Sequence, residues 1–263
     1  MRNLRMWVGL VLLSALAIVV LDSADVVIPG KAFDGTGSYL ILGVIAFALM
    51  RWLRVPTLAY FAKPVLGWKF VVAAVLMVNL IVVQLQDQDF TELSAAKWLR
   101  GIAFLIAVGV TEEIISRGIA FGVLRRLGLF VAVLGSSLMF GLMHINPYIG
   151  NFDPWQAYWH VMSAFSFGVF ACALMVVTRS IWMPIVLHSF SNAGLLVEDA
   201  PTKSEEAFRV STPFFEGLLH PLPILATFVI PALILFWLAA DTPMHPRMRK
   251  LALRWKLIEE EAS

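Results

Sequence analysis

The chain has 263 residues, of which 60% are hydrophobic and 14% charged, with a formal net charge of +2 and a mean hydropathy of +0.82. Soluble domains carry about 25% charged residues, and the apolar runs here repeat at membrane-spanning length, so a single soluble core is excluded and a polytopic membrane protein implied. The small positive balance does not point to nucleic acid, because the basic residues gather at the ends of apolar runs, as the positive-inside rule would place them.

In chain order, Trp7–Leu21 is an apolar run behind Arg2 and Arg5, read as an uncleaved first span because Asp22 spoils a signal-peptidase site. An acidic, glycine-containing loop, Asp22–Ser38, leads to a second span, Tyr39–Leu53, and a basic connection with Arg51, Arg54, Lys63 and Lys69. Lys69–Leu85 is the third span, followed by the acidic Gln86–Glu92. The fourth runs from about Lys97 to Leu127, stopped by Gly128, and the fifth is Leu129–His144, ended by Asn146-Pro147. Trp155–Thr178, Ile181–Val197 and Pro221–Ala240 are the sixth to eighth, with a polar loop, Glu198–His220, before the last and a basic tail after Asp241. Trp7, Trp52, Trp68, Trp98, Trp155 and Trp182 lie near span ends, as interfacial belts do. Cys172 lies in an apolar run and reads as a packing residue; alone, it can form neither an internal disulfide nor a cysteine metal cluster.

Alternate connections are basic, which predicts eight spans in one domain, 1–263, with both termini in the cytoplasm. The expected fold is therefore an all-α membrane bundle of about eight helices. The composition and compactness suit a multi-pass protein of a bacterial inner membrane. Nothing in the sequence sets an oligomeric state.

The fourth span contains Thr111-Glu112-Glu113-Ile114-Ile115-Ser116-Arg117-Gly118, two carboxylates and a guanidinium within apolar surroundings. Each such group costs roughly 2.5–3.5 kcal/mol near a bilayer centre, against about −0.5 for a Leu or Ile. Ionisable groups at that depth face a bundle interior or wet cavity and mark function. Glu113 precedes Arg117 by four residues, the favoured order for a helical ion pair, so these two read as support and Glu112 as the chemical group. If the fourth and fifth spans form a hairpin about Gly128, Glu112 and His144 each lie about 24 Å from its tip and can share a water. In the seventh span His188 and Asn192 are four apart, hence on one face. A carboxylate–imidazole pair suits water activation, and an imidazole with an amide suits oxyanion stabilisation. His160 reads as a hydrogen-bonded structural residue, and His220 and His245 as solvated. Zinc at the Glu/His level is disfavoured, since no His-Glu-x-x-His occurs.

Glu112-Glu113-x-x-x-Arg117, Phe140-x-x-x-His144 and His188-x-x-x-Asn192, in that order on successive spans, resemble the three motifs of the CPBP intramembrane proteases, which include the type II CAAX prenyl endopeptidases and bacteriocin-processing relatives. The resemblance covers roughly residues 98–194. It implies an eight-helix CAAX-protease-like fold and glutamate-dependent hydrolysis without a cofactor. Glu112 and His144 would activate water, His188 and Asn192 would form the oxyanion hole, and Glu113, Arg117 and Phe140 would support them. The implied partners are the lipid bilayer and a membrane-associated peptide or protein substrate.

Two other classes compete: a catalytically silent immunity or scaffold member of the same family, and a transporter with a proton-relay carboxylate. The intact Glu, two His and Asn set argues against the first, and the lack of repeated halves against the second. On access the expectations divide. The predicted topology opens the Glu112 level toward Asn146–Pro154 on the outer face, whereas resemblance to CAAX proteases implies access from the cytosol.

Overall fold

The computed structural model describes residues 36–91, 93–145, 154–197 and 214–240. Among the described residues the chain forms seven helices and no strand. They are α1 (Thr36–Leu53), α2 (Trp68–Leu85), α3 (Ala95–Glu113), α4 (Leu129–Met143), α5 (Pro154–Thr178), α6 (Trp182–Ser191) and α7 (Leu222–Ala239, preceded by the helical turn Phe214–Leu219). They correspond to seven of the eight expected spans, and the expected count of eight helices is not reached among the described residues. The other, Trp7–Leu21, lies outside the described residues, as do residues 146–153, 198–213 and 241–263.

Helices α1, α2, α5 and α7 with its leading turn are long and apolar enough to cross a membrane. Their outer faces are apolar too. Val71, Val75, Val78 and Val82 recur every three or four residues along α2 and are all exposed, as are Phe130, Leu134, Leu138 and Leu142 along α4. Such continuous stripes suit a lipid solvent rather than water. Helix α5 is the central element, packed against α4 and α7, and most of its second half from Ser166 to Met175 is buried. Helix α1 packs on α3, with Leu42, Ala46 and Met50 against Ile115 and Ile119.

Three features differ from the sequence expectation. First, the fourth span is not a regular helix: after Glu113 it becomes a π-helical segment, Ile114–Ala120, before a last α turn, Phe121–Leu124. All seven π residues are buried, so this stretch is enclosed by neighbours on every side. Second, the basic connection after α1 is a structured strap. A 3₁₀ turn, Pro56–Phe61, tucks beneath α3 and donates the Thr57 hydroxyl to the Gly118 carbonyl. The strap is tied to the turn between α5 and α6 by Ile181 N–H to the Tyr60 carbonyl (2.8 Å) and Val65 N–H to the Thr178 carbonyl (2.9 Å). Third, the end of the expected polar loop, Phe214–Leu219, is helical. Its Gly217 carbonyl accepts from Trp159 Nε1 at 2.6 Å, and Phe214 packs on Trp155, so aromatic side chains of α5 hold it against the bundle.

Gly128 takes φ 122°, a left-handed backbone open to glycine, and stops the α3–α4 hairpin where expected. Gly109 acts by size instead. A Cβ there would stand 2.5 Å from Ser189 Oγ and 3.2 Å from the Ile185 carbonyl oxygen, so its lack of a side chain brings α6 directly onto α3. A Gly109→Val chain should separate these helices and lose about 1–3 kcal/mol, read as a lowered unfolding midpoint in detergent. Gly67→Ala, whose Cβ would meet nothing within 4 Å, should stay close to wild type in the same measurement.

Candidate active site

Site geometry begins with the eight residues from Thr111 to Gly118. Thr111, Glu112 and Glu113 end the regular part of α3, and Ser116 and Arg117 lie in the π segment, all of them buried. Arg117 Nη1 donates to Glu113 Oε1 at 2.9 Å, with both side chains fully enclosed, as the four-residue spacing predicts. The guanidinium also lies over the Phe140 ring, 4.4 Å from its centre. That contact substitutes for part of the hydration the cation has lost.

Glu113 does more than neutralise Arg117. Its Oε1 also accepts from His188 Nδ1 at 3.0 Å, fixing the orientation of an imidazole from α6. The opposite ring nitrogen, Nε2, then points at Glu112 Oε2, 3.8 Å away. His188 thus lies between the two glutamates, one ring nitrogen toward each. The helical divergence of adjacent residues is what gives Glu112 and Glu113 these separate directions.

His144 reaches Glu112 from α4. Its Nε2 lies 3.9 Å from Glu112 Oε2, in keeping with the equal distance of the two residues from the hairpin tip. Its Nδ1 lies 2.8 Å from the Phe140 carbonyl oxygen. A carbonyl only accepts, so Nδ1 carries the proton, and in the neutral ring Nε2 is an acceptor. Glu112 Oε2 is itself an acceptor, buried and without a hydrogen-bond donor among the described residues. Two acceptors about 4 Å apart cannot bond to each other, but a molecule with two O–H donors can bridge them.

Phe140 is the packing hub, with ring centres 4.7 Å from His144, 5.5 Å from His188 and 5.8 Å from Phe167. Asn192 lies one helical turn after His188 but not in the helix itself: it caps α6 and begins a 3₁₀ turn, Asn192–Leu196. It lines the same cavity as Phe140, His144 and His188, of about 120 Å³. Glu112 is not itself among the lining residues; its Oε2 lies 3.9 Å and 3.8 Å from Nε2 of the lining His144 and His188.

Three residues join the site that the sequence reading did not assign to it. Tyr39, on α1, lies beside the Glu112 side chain, and its carbonyl accepts from Thr111 Oγ1 at 2.6 Å. No motif surrounds Tyr39, so only the packing of α1 on α3 reveals it. His160, read as structural, lines the cavity with its ring centre 5.1 Å from that of His144. Gln84, at the end of α2, accepts from Ser191 Oγ at 2.6 Å and forms part of the wall. The lone Cys172 is fully buried against Ser136, as a packing residue would be.

An apolar helix bundle with imidazoles lining a small cavity and two buried carboxylates beside them defines a class: a membrane-embedded protein with a polar interior site. Residues 94–194, less than half of the chain, match the family profile described as type II CAAX prenyl endopeptidase Rce1-like, so this segment is similar to the CPBP membrane proteases. The match begins just ahead of α3 and ends in the 3₁₀ turn after α6, so it contains all three motifs. No curated protein matches the chain.

The ion pair yields a direct stability test. Arg117→Leu would leave Glu113 buried with its charge uncompensated and should cost about 3–5 kcal/mol. Replacing both, Glu113→Leu with Arg117→Leu, should recover much of that loss. Unfolding midpoints of the two variants in detergent check the difference.

Proposed function

We propose that the chain is an intramembrane endopeptidase of the glutamic type, in which Glu112 and His144 activate water and His188 and Asn192 stabilise the oxyanion. The observation that carries this reading is the donor-free Glu112 Oε2, facing the acceptor Nε2 of an imidazole whose other nitrogen is committed to a backbone carbonyl. A water donating to both would have its lone pair free to attack.

In this scheme the water oxygen adds to the scissile carbonyl carbon while its proton passes to Glu112. The carbonyl oxygen gains negative charge next to His188 Nε2 and the Asn192 amide. Asn192 donates through its amide N–H. His188 donates at Nε2 only when it carries both protons, because its Nδ1 proton is held by Glu113. Glu113 is therefore a positioning residue for the oxyanion side, and Tyr39 for the base. Collapse of the intermediate breaks the C–N bond, and the proton held by Glu112 leaves with the new amine. The products are a carboxylate and an amine, and no metal takes part in any step.

The substrate is a peptide segment held at the membrane. The protein is placed in a bacterial inner membrane, with the arginine-rich connections and both termini in the cytoplasm. Glu112→Gln keeps the size of the side chain but removes the base, and should lower turnover by about 10²–10⁴-fold at an unchanged unfolding midpoint. The measurement is a comparison of peptide termini in membranes of cells carrying the wild-type or Glu112→Gln chain. Termini present with both chains would sink the assignment of Glu112. Processing should also survive a chelator; loss restored specifically by zinc would overturn the metal-free scheme.

A further inference from the structure

We infer that the active-site cavity is entered from the non-cytoplasmic side of the membrane, so that the substrate is a segment of a membrane-tethered protein or peptide exposed on that side. This rests on the protease reading above and adds the side and class of substrate to it.

The first observation is where the charges lie. Arg51 and Arg54 end α1, Lys63 sits in the strap, Lys69 opens α2, Arg125 and Arg126 form the α3–α4 hairpin, and Arg179 forms the α5–α6 turn. Chain direction brings all of these to one end of the bundle, and among the described residues no acidic side chain accompanies them. The opposite end carries Asp87 and Asp89 after α2 and Glu216 before α7, together with Lys97 and Arg100. There the Thr91 hydroxyl, and then its backbone N–H, donate to Asp89 and hold its carboxyl below the usual carboxylate range. A seven-cation end without anions is the end retained in the cytoplasm.

The second observation is a gradient of exposure along the cavity wall. On α4, His144 is partly exposed and Phe140, one turn nearer the basic end, is buried. On α5, Ser163 is partly exposed and Phe167, again nearer the basic end, is buried. At α6, Asn192 is partly exposed and His188 is buried. Three helices thus agree that the mouth lies away from the cations. At 1.5 Å per residue, Ser163 is about 24 Å and Gln84 about 23 Å along their helices from Arg179 and Lys69.

The third observation is the closure of the basic end. The strap residue Thr57 bonds Gly118, six residues beyond Glu112 toward that end, and Ser180 Oγ donates to the Ala62 carbonyl at 3.0 Å. Strap and turn together form a floor under the site. A peptide approaching from the cytoplasm would have to unseat both; one approaching from the other side meets the partly exposed cavity residues first.

The test uses the full chain in spheroplasts and in inverted membrane vesicles, with a small, charged, membrane-impermeant methanethiosulfonate as probe. Ser163→Cys and Gln84→Cys should react in spheroplasts and Lys63→Cys only in inverted vesicles; the parent chain, with buried Cys172 alone, is the blank. Reaction of the cavity cysteines from the cytoplasmic side, from both sides, or from neither overturns the inference. Labelling needs no catalysis, so the same pattern in a Glu112→Gln background separates failure of this inference from failure of the protease reading. In the comparison of membrane peptide termini, the sites lost with Glu112→Gln should fall in non-cytoplasmic segments. Sites confined to cytosolic tails would overturn the substrate class.

Discussion

Glu113 Oε1 accepts two hydrogen bonds inside the membrane, from Arg117 at 2.9 Å and from His188 at 3.0 Å, with all three side chains buried. That shared acceptor ties the π segment of α3 to α6, and the Phe140 ring on the guanidinium adds α4 to the same junction. The energetics explain why the junction acts as a constraint rather than as a simple stabiliser. An apolar pair of similar volume would often hold a bundle at least as well, whereas loss of either ion alone leaves a charge stranded in low dielectric. Once both ions are present, the surrounding helices are confined to arrangements that keep them paired. A consequence is that the His188 ring has one accessible orientation, and Glu112 faces its other nitrogen.

The apolar surroundings cannot enforce such a junction by themselves. Lipid tails are as apolar as leucine, so helices in a bilayer associate through close packing and polar contacts rather than through hydrophobic exclusion. Gly109 supplies the close packing at α3–α6, and the strap supplies polar ties from below. The exposed valine and leucine stripes on α2 and α4 carry little positional information, since any rotation presenting apolar side chains to lipid would serve. The position of the site therefore rests on a few small and polar residues within a largely interchangeable apolar frame.

Hydrogen-bond direction gives the site its chemical asymmetry. Both histidines have Nδ1 occupied, yet the partners differ in kind: a neutral backbone carbonyl for His144 and a carboxylate for His188. The carbonyl fixes which His144 nitrogen carries the proton, while the carboxylate takes the Nδ1 proton of His188 and an Arg117 hydrogen bond on one oxygen. In the proposed reaction this difference lets one imidazole accept from water while the other donates to an oxyanion. The two residue types are the same; only their partners separate the roles.

The sequence by itself determined the membrane class, most of the spans, the Gly128 turn and the candidate polar set, because transfer costs and helix periodicity act locally and leave their mark on composition and spacing. It placed Glu113 with Arg117 correctly, since four residues on one helix fix a distance. It brought Glu112 near His144 by counting from a shared turn, a calculation that survives any rotation of the helices. Tertiary structure alone decided the π segment, the strap beneath α3, the cap position of Asn192 and the approach of Tyr39 and His160. Each of these depends on how one helix is rotated and seated against another, and in a bundle apolar on nearly all faces no periodicity records that rotation. The direction of the cavity mouth falls between the two: charge and hairpin counting offered one side and the family resemblance the other, and the exposure of His144, Ser163 and Asn192 favours the end away from the arginine-rich turns.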